Sequence, residues 1–304
     1  MRWLRWFVLS SSSAIHLECP GPSAHSRALA LAALLLATFA ANATDPSDQP
    51  GGDDVCLNLS STRQRITIGE ARLEYAATAG SIVLRDDSGK ARANVFFAAY
   101  TKGASSRPIL FLFNGGPGSS SAYLHLGAFG PRRALLEDDP LKVLAPPYRL
   151  IDNDTTLLDL CDLVFIDPVS TGYSRATSEE HVQQFHGVQE DAEAMAAFIR
   201  RYVKRFGREE SAKFLVGESY GAARAAAVAK ILQEEGSISV HGIILISMVL
   251  NFQSIRFNEG NDLPYPLFLP TYTATAWHHQ RLIPKLQANL EQALAEAEKF
   301  AETE

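Results

Sequence analysis

The chain has 304 residues, 46% of them hydrophobic and 20% charged, and carries a formal net charge of −6 at pH 7. That much apolar material can build a sizeable core and excludes a disordered chain. With 28 Lys+Arg against 34 Asp+Glu and no cluster of five basic residues, the sequence offers nothing that would track a phosphate backbone, so nucleic acid is not an expected partner.

Residues 28–41 form an apolar run behind Arg27 that closes on Ala41-Asn42-Ala43, a small-x-small pattern that fits signal-peptidase cleavage before Thr44. The run is short for a membrane span, which takes roughly 20 residues. The sequence therefore predicts an exported protein, periplasmic or secreted, with no membrane span after cleavage; a retained anchor is the competing reading. Residues 1–26 make a long leader with an apolar patch of their own at 3–9, consistent with translation starting further downstream. Cleavage removes Cys19 and leaves Cys56 and Cys161, so one disulfide and two unpaired thiols both stay open. Neither cysteine lies in a C-x-x-C or beside a histidine pair, and no metal is expected.

Residues 45–54, rich in Pro, Gly, Asp and Ser, read as a linker, and folding is expected to begin near Val55. Short alternating runs follow at 66–68, 72–75, 81–84 and 93–97. Asp86-Asp87-Ser88-Gly89 separates the last two as a hairpin turn, giving an antiparallel opening to a sheet. Four continuous apolar runs come next, at 108–113, 163–166, 213–216 and 242–246, each the pattern of a strand buried on both faces. Between them lie helical periodicities, clearest over 188–206, where Ala192, Met195, Ala196, Ile199, Val203 and Phe206 recur at three to four residues. Strands alternating with helices predict an α/β fold with a mostly parallel sheet and helices on both faces. Residues 286–303 read as one amphipathic helix that runs to the C-terminus without a capping glycine, which suggests truncation.

Gly217-Glu218-Ser219-Tyr220-Gly221 is a G-x-S-x-G placed directly after a buried strand and directly before a helical run at 222–233. A sharp strand-to-helix turn there holds the serine hydroxyl above the sheet at the positive end of a helix, and glycines on either side avoid a Cβ clash. Asn114-Gly115-Gly116-Pro117-Gly118-Ser119-Ser120-Ser121 also follows a buried strand, where its glycines let the backbone approach a substrate oxygen. It lacks the G-K-[ST] ending of a P-loop and contains no G-x-G-x-x-G, which argues against a phosphate cradle. No cofactor is implied.

These motifs, with Gly130-Pro131-Arg132 and Asp167-Pro168-Val169-Ser170-Thr171-Gly172-Tyr173-Ser174 between them, follow the order and approximate spacing of the serine carboxypeptidases, and the resemblance covers about residues 60–285. It implies an α/β-hydrolase fold with the start of a helical cap insertion from about residue 252. It further implies that Ser219 is the nucleophile and that the backbone N–H groups of Gly116 and Tyr220 form an oxyanion hole, worth about 2.7 to 4 kcal/mol per donor. By the same resemblance Asn114 and Glu218 bind the terminal carboxylate of a peptide substrate. A protonated Glu218 could donate to that carboxylate where an ionised one would repel it, so activity is expected to favour acid pH. Two positions depart from the family pattern: Leu112 stands where a tryptophan is usual, which weakens identical carboxylate recognition, and Ser119 where a cysteine is common.

A serine nucleophile needs a histidine base oriented by a carboxylate, in the chain order Ser, Asp or Glu, His. After Ser219 the candidates are His241, His278 and His279, with Asp262 the only aspartate. His241 precedes a strand and so belongs at its wrong end, His278 and His279 fall in the cap region, and His181 and His186 come before the nucleophile. The resemblance implies an Asp and a His further along, after core strands this chain does not have. The expectation is a serine carboxypeptidase chain without its triad Asp and His and nearly inactive alone. A non-catalytic peptide-binding protein and an ester hydrolase or acyltransferase are the alternatives.

Overall fold

The computed structural model describes residues 56–103, 106–137, 142, 144–236 and 238–303. The expected leader, its cleavage site and the linker lie outside these residues. Two compact units result, comprising residues 56–248 and 249–303 of those described.

The first unit is built on a sheet with strand order β1-β2-β3-β7-β4-β9-β10. Its antiparallel opening consists of β1 (Cys56–Ile68), β2 (Ala71–Arg85) and β3 (Ala91–Thr101), with β3 running antiparallel to β7. The hairpin at Asp86 forms as expected: Gly89 N–H bonds the Asp86 carbonyl at 2.8 Å, and Asp86 Oδ1 accepts the Ser88 and Lys90 amides. The runs at 72–75 and 81–84, read from the pattern as two strands, are one. The intervening Ala76-Ala77-Thr78-Ala79-Gly80, mostly alanine and glycine, has little strand preference of its own, but β3 pairs all five residues and β1 pairs 76–79 from the other side.

The parallel part is β7 (Asp162–Ile166), β4 (Ile109–Phe113), β9 (Lys213–Glu218) and β10 (Val240–Ile246), in that spatial order. A small two-stranded sheet pairs β5 (Arg132–Ala134) with β6 (Leu150–Asp152), and the short β8 (Arg175–Ala176) pairs with β3. Every residue of β4 and of β7 is buried, as their unbroken apolar runs require. One face is covered by α1 (Val188–Arg205) and α2 (Tyr220–Glu234). There Phe97 makes edge-to-face contacts with Phe198 and Tyr202 at 5.8 and 5.4 Å between ring centroids. The other face packs Leu110, Leu112, Leu163 and Phe165 against Leu124, which lies in the π-helical segment Tyr123–Phe129, and against Leu158 and Cys161.

Cys56 and Cys161 form no disulfide, so of the two readings the disulfide does not hold; burial pushes the Cys161 thiol up to about 12 and leaves it a small apolar group. At the N-terminal end of β7 the buried Asp162 receives Arg208 Nη1 at 2.8 Å and Arg107 Nε at 3.1 Å, an ion-paired base to the sheet opposite the elbow.

The second unit contains α3 (Pro264–His278), the short turn Pro284–Gln287 and α4 (Leu290–Thr303). The single helix expected over 286–303 is divided at Ala288-Asn289: Asn289 Oδ1 accepts the Gln292 amide at 3.2 Å and starts α4 anew. No helix among the described residues is long and apolar enough to cross a membrane.

Candidate active site

In a parallel sheet the loops that leave the C-terminal ends of the strands share one edge, and three of them meet here. Residues 114–121 follow β4, residues 167–174 follow β7, and the turn at Ser219 follows β9.

Ser219 joins β9 to α2 at φ +58, ψ −124, a region in which L-residues are strained. The neighbouring glycines have a steric reason. A Cβ on Gly217 would lie 1.9 Å from the Gly221 carbonyl oxygen, and one on Gly221 would lie 2.5 Å from that of Phe113. Ser219 N–H bonds the Ile246 carbonyl at 2.9 Å, fastening the elbow to β10. Tyr220 is the first residue of α2, so its N–H has no partner within the helix and sits at the positive end of the dipole.

The 114–121 loop packs against this turn at backbone distance: a Cβ on Gly115 would fall 2.4 Å from the Tyr220 nitrogen. Gly115 carbonyl accepts Ser119 N–H at 3.1 Å. Because a trans peptide points its C=O and N–H in opposite directions, that bond turns the Gly116 N–H the other way. Gly116 itself has φ +106, which glycine adopts without strain. Asn114 is 1% exposed, donates from Nδ2 to Glu218 Oε2 at 3.0 Å and accepts Leu124 N–H on Oδ1 at 3.0 Å. All five residues singled out from the sequence therefore lie in two adjoining segments, Asn114 and Gly116 on the loop after β4, and Glu218, Ser219 and Tyr220 across the turn from β9 to α2.

Asp167 ties the third loop to the second. Its Oδ1 accepts Ser121 N–H at 2.9 Å and its Oδ2 accepts Tyr173 N–H at 3.2 Å, while Ser121 Oγ bonds the Ile166 and Leu112 carbonyls. Loss of water outweighs these two donors and the nearby Arg175, and pushes the Asp167 carboxyl up to about 6.

The histidines described in this unit are engaged elsewhere. His241 Nδ1 accepts the Lys213 amide at 3.2 Å, at the end of β10 remote from the elbow, five residues or ~17 Å along the strand. His181 pairs with Thr177 Oγ1 at 3.0 Å, and His186 with Ser170 Oγ at 3.1 Å. His125 bonds the Tyr100 hydroxyl at 2.5 Å and stacks on Phe165, and burial pushes its imidazole down to about 4. His278 and His279 belong to the second unit, at the end of α3.

Two residues at the site escaped the sequence reading. Arg224, 2% exposed, donates from Nη1 to the Asn114 carbonyl at 2.6 Å and from Nε to Asp191 Oδ2 at 2.7 Å. The available signal was a lone arginine in the alanine-rich start of α2, and an aspartate on the otherwise apolar face of α1.

The family model described as serine carboxypeptidase matches residues 77–299. A serine carboxypeptidase-like protein of Arabidopsis thaliana (number 34 of its series) is 25% identical over 226 residues, 71% of this chain and 44% of its own. The pheromone-processing carboxypeptidase KEX1 of Komagataella phaffii is 32% identical over 146 residues, 46% of this chain and 20% of its own. A solved prohormone-processing carboxypeptidase of Saccharomyces cerevisiae superposes with a TM-score of 0.49 at 20% identity, covering 75% of this chain and 48% of its own. The chain thus spans less than half the length of these relatives. With the matched region taking in both site loops and most of the sheet, the chain belongs to the serine carboxypeptidase family.

Proposed function

We propose that this chain carries the nucleophile side of a serine carboxypeptidase site, which releases the C-terminal amino acid of a peptide through an acyl-enzyme on Ser219. The observation that carries the reading is the elbow: a serine at positive φ between strand and helix, with the Gly115-Gly116 backbone packed on the Tyr220 amide. In this reading Ser219 Oγ attacks the last peptide carbonyl, Gly116 N–H and Tyr220 N–H take the developing oxyanion, and Asn114 with Glu218 holds the substrate's terminal carboxylate. The C–N bond then breaks, the amino acid leaves with a proton, and water cleaves the ester.

The base and its carboxylate are a separate matter. Each described histidine of the sheet unit has another partner, so turnover by this chain alone is expected to be slow. The same observation favours a second reading, in which the Asn114 and Glu218 pair binds peptide C-termini without chemistry. Export of the chain to the periplasm or beyond is part of the proposal, and N-terminal sequencing of the mature protein, expected to begin at Thr44, checks it.

The deciding experiment is release of the C-terminal residue from N-blocked dipeptides at mildly acid pH, alongside Ser219→Ala and a fluorophosphonate that labels activated serines. Release or labelling that disappears in Ser219→Ala supports the nucleophile assignment. Binding of the dipeptides without either reaction transfers the site to the second reading, and turnover that survives Ser219→Ala overturns both.

A further inference from the structure

Resting on the nucleophile reading above, one buried cation sits behind both proposed oxyanion donors. Arg224 lies in α2, five residues after Ser219, and its guanidinium is almost wholly buried. Nη1 holds the Asn114 carbonyl at 2.6 Å. That carbonyl opens the loop carrying Gly116: the planar trans peptide it belongs to ends in the Gly115 N–H, so the bond fixes the unit immediately before the Gly115–Gly116 peptide that carries the Gly116 N–H. On the other side the same guanidinium lies over the Tyr220 ring, 5.0 Å from its centroid, and over that of Phe113, 5.6 Å away. Asp191, reaching in from α1, accepts Arg224 Nε at 2.7 Å and lies close enough to the Tyr220 side chain for its charge to act on the phenol. One ion pair therefore spans the loop after β4, the first residue of α2 and the covering helix α1.

We infer that Arg224, oriented by Asp191, is a positioning residue that holds the Gly116 and Tyr220 amides at a common point above Ser219.

The physical case turns on geometry and cost. A buried guanidinium with a single carboxylate partner is a weak contributor to stability, since desolvating both charges offsets their attraction. Its directional value is different: a planar fork with fixed donors can hold a backbone carbonyl and a carboxylate at set angles while its face stacks on a ring, which lysine cannot reproduce. Preorganised donors are where acyl-transfer sites lose most when disturbed, a displacement near 1 Å costing on the order of 100-fold.

The test is the rate of Ser219 modification by a fluorophosphonate in the full chain. In that reaction Ser219 Oγ bonds to phosphorus, the P–F bond breaks, fluoride departs with the hydroxyl proton, and the phosphoryl oxygen needs the same two amides. Saturation kinetics well below the melting temperature separate the maximal labelling rate from probe affinity. For Arg224→Met the maximal rate should fall by about 10- to 100-fold with probe affinity within about twofold, and Arg224→Lys should be intermediate. Because Arg224→Met leaves Asp191 buried and unpaired, the double variant Asp191→Leu with Arg224→Met serves if the single one does not fold, with the same loss expected. Variants that melt at a lower temperature yet label at the wild-type rate would show a purely structural pair and overturn the inference. Wild-type chain that labels no faster than Ser219→Ala fails at an earlier step: the nucleophile reading falls, and the inference with it.

Discussion

Asn114, on the loop after β4, and Glu218, the last residue of β9, share a hydrogen bond of 3.0 Å from Nδ2 to Oε2, and the opposite end of the same amide accepts the Leu124 backbone N–H at 3.0 Å. The amide is thereby fixed in orientation, because only its oxygen can accept from Leu124 and only its nitrogen can donate to Glu218. Asn114→Asp keeps the shape but sets a carboxyl against Glu218, while Asn114→Ala leaves a buried N–H without its acceptor. Asn114→Ala should lower unfolding free energy by about 1 to 3 kcal/mol in urea titrations. Asn114→Asp should weaken binding of N-blocked dipeptides by at least tenfold in calorimetry, and unchanged affinity would remove Asn114 from carboxylate recognition.

The elbow was readable in the sequence because its constraint is local: a five-residue motif between a strand and a helix forces one backbone geometry, and Gly217 and Gly221 mark where a Cβ has no room. The parallel strands were readable because β4 and β7 bury every side chain, which leaves an unbroken apolar run. What stayed hidden depends on distant pairing. The stretch 76–80 looked like a break in β2 because its strand character comes from the neighbours, and Arg224 drew no notice in the alanine-rich start of α2 because its partners, Asp191 and the Asn114 carbonyl, are remote in sequence. The division of 286–303 turns on one asparagine cap, a signal weaker than the periodicity that runs through it.

Strain at Ser219 makes a prediction that separates backbone from chemistry. Ser219→Ala and Ser219→Gly both lack the hydroxyl, but only alanine keeps a Cβ at φ +58. Relief of strain at such positions is worth about 1 to 3 kcal/mol, offset in part by the greater freedom of unfolded glycine. Ser219→Gly should therefore be about 1 kcal/mol more stable than Ser219→Ala in denaturant titrations. Equal stability would mean the turn stores no such strain.

Asp167 predicts a pH dependence with a definite sign. Its carboxyl titrates near 6 in the folded chain against an ordinary 3.8, raised by desolvation, so the folded state holds the proton over a range in which the unfolded state has lost it. The stability it contributes is full below 3.8 and is lost as pH rises through 6. The span corresponds to on the order of 3 kcal/mol. Asp167→Asn cannot titrate, and its amide nitrogen would face one of the two backbone donors from Ser121 and Tyr173. Plotted against pH, the stability advantage of the wild type over Asp167→Asn should shrink from pH 4 to pH 6.5 and then level off. An advantage that grows over that interval would show that the two N–H donors outweigh desolvation and that the carboxylate is the preferred form.

The last prediction concerns β10. It pairs with β9 on one side, and on its other side no strand is bonded among the described residues. Parallel strands are ordinarily covered on both faces, yet Ile243, Ile244 and Leu245 are 40%, 41% and 41% exposed, and His241 is the strand's only titratable side chain. An uncharged apolar edge is a template for further strand pairing, against which natural sheets place lysines or prolines. Concentration-dependent association of the purified chain is therefore expected in sedimentation velocity. Ile244→Lys, which puts a charge on that edge without touching the elbow, should suppress it while leaving the far-ultraviolet circular dichroism unchanged. Association undiminished in Ile244→Lys would place the contact on another surface and leave β10 a tolerated open edge.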